Sequence, residues 1–409
     1  MEESMKKEES FISKIAYGSF YVAVITEVLM VIIDKSNYTN PIEGRLFQFT
    51  FLLFLIKVCM TKYTKREYIA IFLFCVLGVA SYFATERNEI IRLIMFIAAC
   101  KDIDMKKCLK LVFWLTLAGC LGIILLSVTG IYGAVSLTQD YGRGSVETRY
   151  TLGMGHPNAL QCMVWALTAL GLYLYRETMR WYHFALAIAI NAVAFGLADS
   201  KTSFLVVIFT IAAAYFSGEK IREPIKKTCA WVGGFVVLGS ISASIVIAAN
   251  AYRVYNHDWY GTSDPATMLF VKLNDLVNGR IRILTETVGW EGSMNSWSLF
   301  SGPESTSYFD LGWVRLFYWY GIIPACVFIL ATILMLGYCY RKKQYMAIML
   351  TASFALYTVI EAHAISVYLA RNYVFFLMGL YWNHMFHLSN GKQDYIWRGN
   401  RLLGKGGAE

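Results

Sequence analysis

Four short stretches bring together residue types that bind an anion and move a proton. "RYTLGMGHPNAL", residues 149–160, opens a long apolar run with an arginine, two glycines and a His-Pro-Asn triplet. Pro157 suits the first turn of a helix, because its missing N–H would have been unpaired there anyway. His156 and Asn158 then sit at a helix N-terminus, where free backbone N–H groups and the helix dipole favour negative charge. Arg149 lies just upstream, and Gly153 and Gly155 let backbone come close to a ligand. "NGRIRI", residues 278–283, places Arg280 and Arg282 after a glycine. In an extended chain both side chains reach toward one anion; in a continuing helix they point to different faces. "LADSKTSF", residues 197–204, holds Asp199, Lys201 and Thr202, and residues 361–372 hold Glu361, His363, Arg371 and Asn372. Arg143 adds a further cation ahead of the first stretch.

Taken one at a time, each stretch has a plainer reading. Asn158 serves as a simple helix cap with His156 exposed. Asp199 and Lys201 form a local pair in a tight turn. Arg280 and Arg282 are solvated or touch lipid headgroups, and Arg371 snorkels outward. Taken together they describe a cationic cavity with acid/base groups, because a charge in hydrocarbon costs a few kcal/mol and normally faces a protein cavity.

The elements that must position these residues follow from composition. The 409-residue chain is 57% hydrophobic and 16% charged, with a mean hydropathy of +0.48, too apolar for an ordinary soluble protein. A membrane span needs roughly 20 mostly apolar residues. About twelve stretches qualify, at roughly 15–33, 46–61, 67–84, 87–100, 109–131, 157–175, 182–198, 202–217, 228–250, 311–337, 344–362 and 366–386. The fourth is the weakest, being short and containing Arg92. Lys and Arg favour the cytoplasmic side of short loops. Alternating loops from a cytoplasmic N-terminus puts the clusters at 57–66, 101–110, 220–227 and 341–343 all inside, and deleting the fourth span would invert every later one. The expected fold is all-α: one polytopic membrane domain over 1–409, both termini cytoplasmic. The net charge of +9 is then a topology signal, and no nucleic-acid partner is expected. Residues 1–14 mix acidic and basic side chains and the first apolar run is long enough to span, so no cleavable signal is expected.

On the outer side two loops are long, 132–156 and 251–310. The second is too aromatic for disorder and should fold against the membrane face. Within it "SDPATMLFVKLNDLVNG" predicts an amphipathic helix, with Asp264 as N-cap, Pro265 at the first position, an apolar stripe of Leu269, Leu273, Leu276 and Val277, and Gly279 at its end. The nine cysteines avoid both loops and suggest no disulfide framework or metal site. No nucleotide-binding loop is present, which argues against ATP or sugar nucleotides as substrates.

The chain resembles the Wzy-type polysaccharide polymerases, which are related to the O-antigen ligases. The resemblance is carried by "RYTLGMGHPNAL", "ADSKTSF", "NGRIRI", "DLGWVRLFYWYGIIP" at 310–324, and "EAH" at 361–363 ahead of Asn372. It covers nearly the whole chain through short motifs. Where the family pattern has an arginine in "SRT", this chain has Lys201, which keeps the charge and loses the bidentate fork. The resemblance implies a GT-C-like membrane glycosyltransferase with one large extracytoplasmic loop and no cofactor. Its donor and acceptor would be oligosaccharides on undecaprenyl diphosphate, and its neighbours in the bilayer a flippase and a chain-length regulator. Glu361, His363 or His156 would take the acceptor proton. Arg280 and Arg282, helped by Arg149, would hold the diphosphate, with Arg143, Asn158, Lys201, Arg371 and Asn372 also contacting substrate. Trp259, Tyr260, Trp290 and Trp297 would stack on sugar rings or form an interfacial belt. A ligase acting on another acceptor, or a flippase for the same lipid, is the alternative.

Overall fold

In lipid every backbone N–H and C=O must be satisfied within the protein, and a helix does this with its own ladder. The computed structural model describes residues 2–140, 146–286, 290 and 292–386. In chain order its elements are α1 (Glu2–Asp34), α2 (Glu43–Cys59), α3 (Lys65–Thr85), α4 (Glu89–Ala99), α5 (Met105–Val128), β1 (Ser136–Asp140), β2 (Val146–Tyr150), α6 (Pro157–Tyr175) and α7 (Trp181–Ala198). There follow α8 (Lys201–Phe216), α9 (Glu223–Asn250), α10 (Tyr252–Tyr260), α11 (Pro265–Leu276), α12 (Arg280–Glu286), α13 (Gly312–Tyr320), α14 (Ile322–Arg341), α15 (Tyr345–Thr358) and α16 (Val374–Phe386).

Six helices among the described residues are long and apolar enough to cross a membrane: Phe11–Asp34, Lys65–Thr85, Met105–Val128, Trp181–Ala198, Glu223–Tyr260 and Ile322–Arg341. The protein is therefore a mostly α-helical, membrane-embedded chain. Large apolar side chains such as Phe72, Phe83, Leu125 and Val193 remain exposed on these helices, as a lipid-facing surface requires. The interior is packed around Trp165 of α6, which stacks on Tyr357 of α15 at 4.0 Å. Its indole N–H donates to Thr210 of α8 and Ser353 of α15, so one buried side chain ties three helices together.

Several expected spans are broken. The stretch at 311–337 divides into α13 and α14 at Gly321, whose φ of +94° suits a residue without Cβ. A Cβ there would lie 2.6 Å from the Leu299 carbonyl oxygen. The stretch at 366–386 is helical only from Val374. Between α15 and α16 the chain is irregular apart from a 3-10 turn at Leu369–Arg371, yet most of it is buried. Irregular backbone at this depth needs partners from the protein. Arg92 donates to the Val367 carbonyl at 2.8 Å, the Leu369 N–H donates to Glu27, Arg315 donates to the Ala362 carbonyl, and Asn372 donates to the carbonyls of His363 and Ala364. Arg92 itself pairs with Glu27 at 2.9 Å, both side chains 2% exposed. The arginine that made the fourth stretch look weak is thus what holds the irregular segment.

The loop at 132–156 adds a two-stranded antiparallel hairpin, β1–β2, in register Ser136↔Tyr150, to the all-α expectation. It docks through its glycines. Gly153 has φ +83°, and a Cβ there would lie 2.8 Å from Ser127 Cβ. Gly155 passes against Ser36, its N–H donating to the Lys35 carbonyl at 2.9 Å. The two glycines accommodate chain against chain, where close approach to a ligand was expected. Gly153→Ala should cost about 1–3 kcal/mol by strain and overpacking, measurable as a lowered unfolding temperature in detergent; unchanged stability would show that the contact yields.

In the loop at 251–310, α10, α11 and α12 close a small core of Val254, Phe270, Ile281 and Leu284 against Phe309 and Leu311. Asp264 caps α11 through the N–H groups of Ala266 and Thr267, with Pro265 first in the helix, as its sequence predicts. The stripe is met in half: Leu273 and Val277 pack against this core, Leu269 and Leu276 are exposed, and Thr267, Phe270 and Asn274 are the buried positions. The position of Phe270 decides this, since burying the ring outweighs burying either leucine.

Candidate active site

Two adjoining polar cavities lie where α6 and α8 begin and α7 and α15 end. The first, about 260 Å³, is lined by Lys35, His156, Asn158, Cys162, Tyr308, Asp310, Glu361 and Arg371. The second, about 280 Å³, is lined by Gln139, Arg149, His156, Asn158, Asp199, Ser200, Thr202, Asn278, Arg280 and Asp310. His156, Asn158 and Asp310 belong to both, so they are lobes of one chamber.

His156 is itself the N-cap of α6: its backbone is extended and its Nδ1 accepts the Asn158 N–H at 3.1 Å. With Nδ1 occupied as an acceptor, a neutral imidazole carries its proton on Nε2. Desolvation lowers its pKa, reinforced by Arg149, Arg280 and Lys35 and opposed by Asp310. Asn158 lines both lobes without capping the helix.

Arg280 is buried and bridges two carboxylates, Asp310 at 3.2 Å and Glu361 at 3.4 Å. Arg282 does not accompany it. The chain after Gly279 resumes as the helix α12 instead of extending, which sends Arg282 to the far side, paired with Asp258 at 2.9 Å and about half exposed. The expected pair of convergent arginines is therefore not formed, for the geometric reason that separates neighbours two apart on a helix. Arg149 of β2 is buried between Glu147 at 2.6 Å and Asp199 at 3.7 Å. Asp199, in left-handed backbone after α7, thus turns to the hairpin, while Lys201 is exposed and lines neither lobe.

Glu361 and His363 follow α15 in the irregular segment. Glu361 reaches the chamber with its side chain 14% exposed. His363 lies behind the wall, 1% exposed, its Nε2 at 3.3 Å from Cys162 Sγ and its ring packed edge-on to Tyr357. Asn372 is buried and spends its amide on backbone groups of the segment. It shapes the site without touching the chamber. Arg371 lines the first lobe. Arg143 lies outside the described residues.

Lys35, Tyr308 and Asp310 are among the lining residues that escaped the sequence reading. Lys35 did leave a signal, as a lysine just after the first apolar run, in a loop that the expected alternation puts on the side positive charge avoids. Asp310 opens the "DLGWVRL" stretch, yet nothing in its spacing announces a partner thirty residues upstream. Of the aromatics, Trp259 and Tyr260 are exposed, Trp290 packs on Tyr255, and Trp297 is stacked on Phe317 at 4.5 Å, a packing role. Compared with known protein families, characterised proteins and solved structures, the chain matches none.

Proposed function

We propose that the protein is a polysaccharide polymerase, joining oligosaccharide repeats carried on undecaprenyl diphosphate at the outer face of the bacterial cytoplasmic membrane. In this reading the N-terminus is cytoplasmic, the chain makes about twelve passes in a GT-C-like arrangement, and the chamber faces outward. Helices of only 11 to 17 residues, such as α4 and α2, complete their passes with irregular chain, since 11 residues rise about 16 Å.

The observation that carries the proposal is the meeting of His156, Arg149, Arg280, Glu361 and Arg371, far apart in sequence, around one polar chamber in an otherwise apolar chain. Glycosyl transfer from a diphosphate needs such a set. The acceptor hydroxyl gives its proton to Glu361 while its oxygen bonds to the anomeric carbon. The bond from that carbon to the diphosphate oxygen breaks, the diphosphate keeping the electron pair. A single displacement inverts the anomeric centre and asks for one base, unlike the close carboxylate pair of retaining glycosidases. Guanidinium, ammonium and imidazole donors fixed before reaction stabilise the charge that develops on the leaving group.

The test is reconstitution of the purified protein with lipid-linked repeats of the producing strain. Ladders of increasing glycan length are expected. Transfer of intact glycan to a different acceptor would replace this reading with a ligase, and movement of unchanged lipid between leaflets would replace it with a flippase.

A further inference from the structure

Most cations around the chamber are already matched by carboxylates. Arg149 lies against Glu147 and Asp199, Arg280 against Asp310 and Glu361, and Arg282 against Asp258. Arg371 differs: among the described residues its side chain has no ion pair, and its Nε is buried without a hydrogen-bond partner. It shares the first lobe with Lys35, whose only ion pair there is with the adjacent Asp34, at 2.8 Å.

We propose that the first lobe is the diphosphate subsite, gripped by Arg371 from one wall and Lys35 from the other, and that Arg280 instead holds Glu361 and Asp310 in place. This inference rests on the reading of the chamber as a diphosphate-linked glycosyl-transfer site, and assigns the leaving group within it.

Both cations are presented by fixed backbone. Lys35 follows the end of α1, where its carbonyl accepts the Gly155 N–H and Ser36 bridges to Met154. Arg371 closes the 3-10 turn whose first residue, Leu369, is bound by Glu27. The cap of α6, His156, lines the same lobe. The two carboxylates that also line this lobe, Glu361 and Asp310, are each compensated by the same guanidinium of Arg280, so they oppose a bound anion less than bare carboxylates would. In the second lobe both arginines are matched, and Asp199 lines the wall, which suits sugar hydroxyls better than phosphate. A planar guanidinium with an unused N–H edge fits two phosphate oxygens at once, while a lysine supplies a mobile point charge.

The experiment is calorimetric titration of inorganic pyrophosphate into the full-length protein in nanodiscs of zwitterionic lipid, which keeps anionic headgroups from competing. Wild type should bind. Arg371→Gln and Lys35→Gln should each weaken binding by about tenfold or more, the scale of one charge-assisted hydrogen bond. Arg371→Lys should recover part of the loss, and Arg282→Gln, which lies away from both lobes and pairs with Asp258, should stay near wild type. Unfolding temperatures of the unliganded variants separate lost contact from lost fold, and the Lys35 variant, at the bundle's rim, gives an independent reading if Arg371→Gln is unstable. Wild-type affinity in Arg371→Gln and Lys35→Gln, or no pyrophosphate binding by wild type, overturns the assignment. If the binding pattern holds but wild type extends no lipid-linked glycan, the anion subsite stands and the polymerase reading falls. If wild type extends glycan while the two variants bind pyrophosphate normally, the reverse is true.

Discussion

Glu361→Gln is expected to lower the rate of glycan extension by about 10²–10⁴-fold, the range for removing a positioned general base, while leaving pyrophosphate binding largely intact. Glutamine keeps the shape of the side chain and can still accept from Arg280 through its amide oxygen, so the loss would report proton transfer and not collapse of the wall. The pH dependence supplies a second readout. The base works only when ionised. Wild-type activity should therefore be low in acid and rise with pH as the carboxylate forms. The Gln variant should lack that limb. His363→Asn provides the contrast: His363 lies behind Cys162 and does not line the chamber, so its loss should reduce stability and leave the limb in place. A limb that survives Glu361→Gln and disappears in His363→Asn would transfer the role to the histidine.

Much of the fold was legible because lipid imposes a single demand on it. Apolar runs such as 109–131 and 228–250 had to be helices, and they are. The Asp264–Pro265 start of α11 was legible for a local reason, since capping involves neighbours along the chain. What escaped was non-local. Nothing in the stretch 366–386 distinguishes a helix from a buried irregular segment followed by a shorter helix, because the partners of that segment, Glu27 and Arg92, lie hundreds of residues away. The chamber followed the same division. Residue types and sidedness were enough to nominate His156, Arg149, Arg280, Glu361 and Arg371, all of which line it. Which cations are neutralised was not readable, since Arg149–Asp199 and Arg280–Asp310 are pairings across loops. Arg282 went astray on one local choice: whether the chain after Gly279 extends or coils.

Arg92→Met should destabilise the protein by about 3–5 kcal/mol, the cost of leaving the other half of a buried ion pair uncompensated. Glu27 would keep its bonds from Thr50 and the Leu369 N–H but lose its countercharge in an apolar interior, and the Val367 carbonyl would lose the Arg92 donor. Glu27→Gln removes the charge with little change of shape and should cost less, because its amide oxygen still accepts from Thr50 and Arg92, although its NH2 then faces the Leu369 N–H. The double variant Glu27→Gln/Arg92→Met should be less damaging than the sum of the two singles, as removing both charges leaves neither one orphaned. Denaturant titration in mixed micelles measures all three. Additive losses would mean that the pair contributes nothing as a pair; single losses below about 0.5 kcal/mol would place it with surface ion pairs in energetic weight. The consequence reaches the chamber, because the carbonyl of Val367 and the N–H of Leu369 are the two fixed points from which the turn to Arg371 departs. A variant that folds but lets this turn move should lose pyrophosphate affinity without any change at the lining residues.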